Sequence, residues 1–174
     1  LQRLVEEFRD FAHQPRLAVA PVDVVDVFDA ALGAARAAQP DVVFEAAVEA
    51  APESVHADAE QLRRALHNVL KNAAEAAPHA AVELASGAGD DPAWWWIEVR
   101  DRGSGLAPEV AARLGDPYVT TKADGTGLGL PVTLRIVEAH GGRLDVRARV
   151  GGGLIVRIDL PRRAPESPSE ETRS

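Results

Sequence analysis

Pro117-Tyr-Val-Thr-Thr-Lys-Ala-Asp-Gly-Thr-Gly-Leu-Gly-Leu130 is the stretch on which the reading of this chain turns. Gly125, Gly127 and Gly129 alternate with Thr126 and Leu128, and an apolar-periodic segment follows at once. Glycine tolerates positive φ and lets a backbone approach a ligand closely. A helix beginning behind such a loop adds unpaired N–H groups and the positive end of a dipole. Together they make a phosphate-seeking loop, with the hydroxyls of Thr120 and Thr121 and the cation of Lys122 just upstream. On its own a Gly-x-Gly-x-Gly is a glycine-rich surface turn. Its neighbours decide what it is.

The chain has 174 residues, enough for one compact domain with a core and short appendages. Apolar residues make up 46%, much of it alanine, which fits a globular α/β chain. There is no Cys, so disulfides and thiolate metal sites are excluded. No apolar run reaches the length of a transmembrane helix. Leu1 falls inside a helical pattern and Met is absent, so a piece of a longer polypeptide is expected. The net charge is −8, and residues 162–174 are neutral, with Arg162, Arg163 and Arg173 against Glu166, Glu170 and Glu171. The excess negative charge therefore sits on residues 1–161. No basic stripe of the kind a nucleic-acid binder carries is visible. An acidic body that takes a nucleoside triphosphate must offset the phosphate charge locally, which points to a divalent cation.

Periodicity divides the chain into elements. Leu1, Leu4, Val5, Phe8, Phe11 and Ala12 share one helical face, a stripe too short to be stable alone. Pro15 and Pro21 bracket a linker. Residues 22–38 read as a helix, 41–50 as a strand and Pro52–Val55 as a turn. The clearest helix runs from about Asp58 to Ala77, with Leu62, Ala65, Leu66, Val69, Leu70 and Ala73 on its apolar face and Pro78 behind it. Residues 81–85 and 94–100 read as strands of a hairpin. A short helix is expected at 108–114, with Pro108 in its first turn, and a longer one at 130–140, stopped by Gly141-Gly142. Residues 143–150 and 154–160 alternate as strands around Gly151–Gly153. Beyond Pro161 the chain is rich in Pro, Ser and Glu and is expected to be disordered.

Two further constellations carry possible chemistry. Asn68 and Asn72 stand one turn apart on the helix 58–77, with Glu75 three residues on. At 100° per residue the three lie within about 60° of one another. Asn costs roughly 0.6 kcal/mol relative to Ala in a helix, so two in an Ala/Leu-rich helix call for an explanation. A solvated polar face shared with Gln61, Arg64 and Lys71 is one. An amide oxygen ligating Mg²⁺ is the other, since that ion takes few protein ligands and fills its shell with phosphate and water. The second constellation is Asp101-Arg-Gly-Ser-Gly105, directly behind the strand 94–100. It is either a common Asp-x-Gly turn or a carboxylate that accepts from an adenine amino group while the glycines let the base lie against the backbone.

In this order the segments closely resemble the catalytic ATP-binding domain of bacterial sensor histidine kinases, in the superfamily that includes gyrase, heat-shock chaperone and mismatch-repair ATPases. Residues 62–76 look like the N box and 101–105 the G1 box. Residues 117–122 resemble the F box, with Tyr118 where Phe is usual, and 125–129 the G2 box. The resemblance covers residues 22–161, with 15–21 a linker and 162–174 a disordered tail. It implies an α+β fold, the two-layer Bergerat sandwich of a mixed sheet covered on one face by helices. It also implies ATP and Mg²⁺ as cofactors and a role for each matched residue. Asn72 would ligate Mg²⁺ with Asn68 beside the phosphates; these two and Lys122 would carry the catalysis. Asp101 would hold the adenine amino group, with Gly103 and Gly105 shaping the base pocket. Thr121 and Lys122 would belong to a mobile lid hinged at Gly125, Gly127 and Gly129, with Thr126 and Leu128 also at the nucleotide.

Residues 1–14 resemble the end of a dimerisation and phosphotransfer helix, and Glu6-Glu7-Phe8 with Phe11-Ala12 resembles the nitrogen-regulation subgroup. The implied reaction is transfer of the ATP γ-phosphoryl group to a His on that separate domain, for relay to a response regulator. The implied setting is a homodimeric, membrane-anchored sensor whose catalytic domain is cytoplasmic. A phosphoacceptor motif is absent around His13, His56, His67, His79 and His140. Glu75 stands where some relatives carry a basic residue, so neutralisation is expected to lean on Lys122 or Lys71. Leu154 replaces the Thr that often follows the final glycine turn, a change expected to be tolerated. Asn68 cannot act as a base toward water, which favours a kinase over an ATPase. Two other readings share the nucleotide site: a serine-directed protein kinase of the anti-sigma type, and an interaction module that senses ATP without transferring phosphate.

Overall fold

The computed structural model describes residues 17–105 and 127–165. The elements in order are β1 (Ala20–Asp23), α1 (Val24–Ala38), β2 (Phe44–Ala50), β3 (Ser54–Ala57), α2 (Ala59–Ala76), β4 (Val82–Ala88), β5 (Trp94–Arg100), α3 (Gly129–Ala139), β6 (Arg143–Ala148) and β7 (Leu154–Pro161). Five strands form one sheet in the order β2-β4-β5-β7-β6. The β2/β4 pair is parallel and the others antiparallel, so the sheet is mixed, as expected.

Each helix starts and stops for a local reason. The Asp23 side chain accepts from the Val25 N–H at 2.8 Å and so caps α1. That cap explains why α1 begins at Val24 and not at residue 22. Asp58 caps α2 through Oδ1, accepting from Glu60 and Gln61 N–H at 3.1 and 3.0 Å. Pro78 lies just past the end of α2. Gly141, at φ +75°, follows the end of α3 in the left-handed conformation that glycine tolerates.

The core lies between the sheet and the three helices. Trp95, Ile97 and Val99 of β5 point inward with Val82 and Leu84 of β4 and Ile158 and Leu160 of β7. Phe28 and Val27 of α1 and Leu62, Leu66, Val69 and Leu70 of α2 meet them. Phe28 and Trp95 pack edge to face at 6.3 Å between centroids. Trp95 is buried and its neighbours Trp94 and Trp96 are half-buried, the alternation that a strand dictates. On the opposite face Arg143 lies over the Trp94 ring and Arg157 over Trp96. Those two rings are held by protein cations, in keeping with a packing role.

Several expected boundaries are corrected. Residues 20–23, assigned in part to a linker ending at 21, form a strand that pairs antiparallel with β3, Ala20 opposite Ala57. Pro21 fits there because this two-stranded sheet has an edge where a missing N–H costs nothing. The expected turn 52–55 gives way to β3 at Ser54. Strand β2 starts at Phe44, not at 41, and β4 continues to Ala88, not 85, because Ser86, Gly87 and Ala88 pair with Ile97, Trp96 and Trp95. The tail does not begin at 162. The carbonyl of Arg162 accepts from His56 N–H, and Ala164 donates to the His56 carbonyl, both at 2.8 Å. Ala164 is buried. The expected helices at 1–14 and 108–114, and residues 166–174, lie outside the described residues.

Candidate nucleotide site

The C-terminal half of α2 is the floor of the site. The Asn68 side-chain amide donates through Nδ2 to the carbonyl of Gly129 at 3.3 Å. A Cβ built on Gly129 would stand 3.6 Å from Asn72 Nδ2. Both asparagines on the polar stripe of α2 therefore meet the first residue of α3. Helix α3 has Leu128 at its N-cap, which makes no side-chain cap hydrogen bond, and the positive end of its dipole faces the asparagines. Thr133 closes its first turn by donating to the Gly129 carbonyl at 2.9 Å. Leu128 is buried and anchors the loop as it enters the helix. Gly127 is at φ +67°, whereas Gly129 is helical, so only the former needs glycine for its backbone angle.

One turn past Asn72, the loop after β5 packs against the end of α2. A Cβ on Gly103 would lie 2.5 Å from the Ala76 carbonyl oxygen, so no larger residue fits. Asp101 is buried at the mouth of this loop. Its Oδ1 accepts from Gly103 N–H at 2.8 Å and from Leu154 N–H at 3.3 Å. Its Oδ2 accepts no hydrogen bond among the described residues. One oxygen is thus spent on fixing the loop, and none of the described residues claims the other. Gly105 is at φ +72° and faces the Gly153 carbonyl.

The turn between β6 and β7 contributes more than the sequence suggested. Gly151, Gly152 and Gly153 all have positive φ, and a Cβ on Gly153 would lie 2.2 Å from the Asp101 carbonyl oxygen. Asp101 N–H donates to the Leu154 carbonyl at 3.0 Å. Leu154 holds Asp101 through its main chain alone, which explains how the hydroxyl-free side chain is accommodated. The three consecutive glycines were the available signal; nothing local told which backbone they pass.

The charges near the floor are partly matched. Lys71 pairs with Glu75 at 3.8 Å, one turn apart. His67, beside Asn68, is kept below the usual histidine range by burial and by the nearby Lys71 charge. His140 is not merely a helix-end residue: its Nδ1–H donates to the Ile136 carbonyl at 2.8 Å and its Nε2 accepts from Asp58 N–H at 3.1 Å. Both ring nitrogens are occupied, so it is no phosphoacceptor. The structure thus brings Asn68, Asn72 and Gly129 together and packs Gly103, behind Asp101, on the end of α2, while Gly105 faces Gly153 and Leu128 is buried at the start of α3. Thr121, Lys122, Gly125 and Thr126 lie outside the described residues.

Comparison with known proteins identifies the family. Residues 57–164 match the family described as histidine kinase-, DNA gyrase B-, and HSP90-like ATPase. The nitrogen regulation protein NtrY of Azorhizobium caulinodans is 34% identical over 95% of this chain and 22% of its own length. The sensor histidine kinase ZraS of Salmonella typhimurium is 32% identical over 92% of this chain and 35% of its own. The chain therefore spans about a fifth to a third of these relatives. Among solved structures, full-length ShkA in complex with AMPPNP superposes with a TM-score of 0.78 at 31% identity, over 91% of this chain and 35% of that one. The mycobacterial sensor histidine kinase MprB superposes at 0.75 and 31% identity, over 85% of this chain and all of the other. The chain belongs to the histidine kinase-, DNA gyrase B- and HSP90-like ATPase family, and within it to the ATP-binding catalytic domains of sensor histidine kinases.

Proposed function

We propose that this domain binds Mg-ATP across the end of α2 and transfers the γ-phosphoryl group to a histidine imidazole on a separate dimerisation domain. The observation that carries this reading is the convergence of Asn68, Asn72 and the start of α3 with Asp101 and Gly103, which pack one turn further along α2 at its C-terminal end. Triphosphate and base thereby have separate, chemically matched places.

Asp101 Oδ2 accepts from the adenine N6 amino group. Guanine presents an acceptor at the corresponding position, so the carboxylate discriminates against it. Gly103 and Gly105 leave the base a flat backbone wall. The residues present fit Mg²⁺: Asn72 turns its Nδ2 toward Gly129, leaving its amide oxygen as the ligand, and an ion that keeps water and phosphate oxygens needs few protein ligands. The positive end of α3 serves the phosphates and not the ion. When bound, Mg²⁺ neutralises charge on the phosphate oxygens. Asn68 positions the loop end through Gly129 and stands beside the phosphates, where it has no basicity with which to activate water. Thr121 and Lys122 belong to the lid over the phosphates, Gly125, Gly127 and Gly129 hinge it, and Thr126 adds a hydroxyl contact to the nucleotide. The transfer then depends on positioning and charge neutralisation, with little acid–base chemistry to perform.

In the longer protein, residues 1–14 end the dimerisation helix and 15–19 link it to β1. The domain is cytoplasmic in a homodimeric sensor anchored in the membrane, and the phosphoryl group passes on to a response regulator. The similarity to NtrY over nearly the whole chain supports the nitrogen-regulation subgroup. Incubation of the chain with Mg-ATP and a supplied histidine-bearing helical domain tests the reading. An acid-labile, alkali-stable phosphoryl product is expected; tight ATP binding without transfer to any supplied domain would favour a nucleotide-sensing module.

A further inference from the structure

The carboxylate of Asp101 reads a base only if its second oxygen is aimed, and that aim depends on the peptide that carries it. Three contacts converge on Asp101, from β7 and from the turn before it. Strand β7 holds the Asp101 N–H through the Leu154 carbonyl, and Gly153 lies against the Asp101 carbonyl. The third contact comes from Arg149, on the turn between β6 and β7. Its backbone N–H donates to the Gly153 carbonyl at 3.0 Å, and its own carbonyl accepts from Gly152 N–H at 3.1 Å. Its side chain therefore springs from the same closed turn that presses on Asp101.

The guanidinium reaches in two directions. Nη2 donates to Glu83 Oε1 at 2.7 Å, and Nη1 lies 3.4 Å from the Asp101 carbonyl oxygen. The first is a charge-assisted bond of full strength; the second is long, and it persists because the first pins the planar fork beneath the carbonyl. The Arg149 side chain is only 14% exposed, against 54% for Arg102, which also approaches Glu83 at 3.5 Å. An ordinary surface pair would leave both arginines in solvent. Here one is packed under the loop and the other is not. The pairing is also reflected in Glu83, whose carboxyl is held below its usual range chiefly by the Arg149 hydrogen bond, against the raising effect of burial.

We propose that Arg149, anchored by Glu83, is a positioning residue that holds the Asp101 peptide so that Asp101 Oδ2 faces the base, and that it sets the preference for adenine over guanine without touching nucleotide. The inference rests on the reading of Asp101 as the base-binding carboxylate. A merely structural arginine would alter stability and leave base preference unchanged; a positioning arginine alters the preference itself.

The test measures binding of Mg-ATP and Mg-GTP to the 174-residue chain by calorimetry, alongside its melting temperature. Arg149→Met is expected to weaken ATP binding about five- to tenfold with GTP binding nearly unchanged, and Arg149→Lys to recover part of the loss. Glu83→Gln is expected to move preference in the same direction. In an Asp101→Asn background, Arg149→Met is expected to add no further loss, because the group it aims is gone. Arg147→Met, on the open sheet face, controls for the general loss of a charge. Wild-type preference in Arg149→Met, with preference lost in Asp101→Asn, would overturn the role of Arg149 and leave the base reading intact. Equal loss of ATP and GTP binding in Arg149→Met would likewise overturn it. Unchanged preference in Asp101→Asn would overturn the base reading itself, and with it this inference.

Discussion

Asn68 of α2 donates its side-chain amide to the carbonyl oxygen of Gly129, 61 residues further along the chain, at 3.3 Å. The bond fixes the start of α3 against the helix that carries Asn72, and so sets the separation between amide and glycine loop. Asn68→Ala is expected to cost about 1 kcal/mol of stability, the usual net worth of such a bond, and to slow phosphoryl transfer. Gly129→Ala should be tolerated, since its Cβ would meet Asn72 at an ordinary 3.6 Å. Gly127→Ala should cost about 1–2 kcal/mol for its left-handed backbone. Urea denaturation of the three variants checks the order.

The glycines of the β6–β7 turn are not equivalent. Gly151 has open space around a built Cβ, whereas on Gly153 that atom falls 2.2 Å from the Asp101 carbonyl oxygen. Both have positive φ. Gly151→Ala is therefore expected to cost only the backbone strain of about 1–2 kcal/mol. Gly153→Ala should cost at least about 3 kcal/mol, because the clash is with main chain that cannot rotate away. It should also weaken ATP binding in the molecules that remain folded. Equal melting temperatures for the two variants would contradict the packing.

His140 joins the end of α3 to the start of α2, accepting from Asp58 N–H while Asp58 Oδ2 accepts from Ala18 N–H at 2.8 Å. Burial lowers the His140 pKa, against smaller raising effects from the Ile136 hydrogen bond and the Asp58 charge. The neutral ring is the one that fits, because protonation would turn an N–H toward an N–H. The folded state thus binds fewer protons than the unfolded state below about pH 6.5, and stability rises with pH there. The contribution is fully present above that value and is lost as pH falls through the lowered folded pKa. His67 has the same sign. The stability–pH slope between pH 5 and 6.5, followed by denaturant titration, is expected to be shallower in His140→Gln and shallower again when His67→Gln is added.

Glu98 on the open face of the sheet is buried and meets three arginines: Arg100 at 3.0 Å through Nε, Arg147 at 2.9 Å and Arg157 at 3.1 Å. Burial pushes its pKa up, but hydrogen bonds from Arg100 and Arg157 and the surrounding charges outweigh it, so the carboxyl sits below its usual range. Its contribution is present above the ordinary carboxylate pKa and is lost as pH falls through the lowered one. Glu98→Gln is expected to cost about 2–3 kcal/mol, less than for a fully buried pair because the arginines keep part of their hydration. It should leave ATP binding unchanged, a separation that calorimetry with the folded variant checks.

Local pattern carried much of this fold. The spacing of Asn68 and Asn72 within an apolar-faced helix placed both on one stripe, and the run from Trp94 to Arg100 ended the strand where Asp101 begins. These are properties of period and punctuation, which a sequence displays. The short strands Ala20–Asp23 and Ser54–Ala57 and the docking of residues 162–164 on His56 were not legible, because four-residue pairings depend on a distant partner. The same holds within the site. Gly103 against Ala76, Gly153 against Asp101, Arg149 on Glu83 and Asp58 on His140 link positions 27 to 82 residues apart. No local signal encodes which backbone a glycine must pass or which carboxylate an arginine must find.

The central claim, that α2 presents Asn72 to the metal while Asp101 takes the base, is tested most directly by one paired measurement on Asn72→Ala. ATP binding in the absence of Mg²⁺ and phosphoryl transfer to a supplied histidine domain in its presence are measured on the same preparation. Nucleotide binding is expected to stay within about threefold of the parent chain, and transfer to fall by at least about a hundredfold. Transfer at the parental rate in Asn72→Ala would contradict the claim.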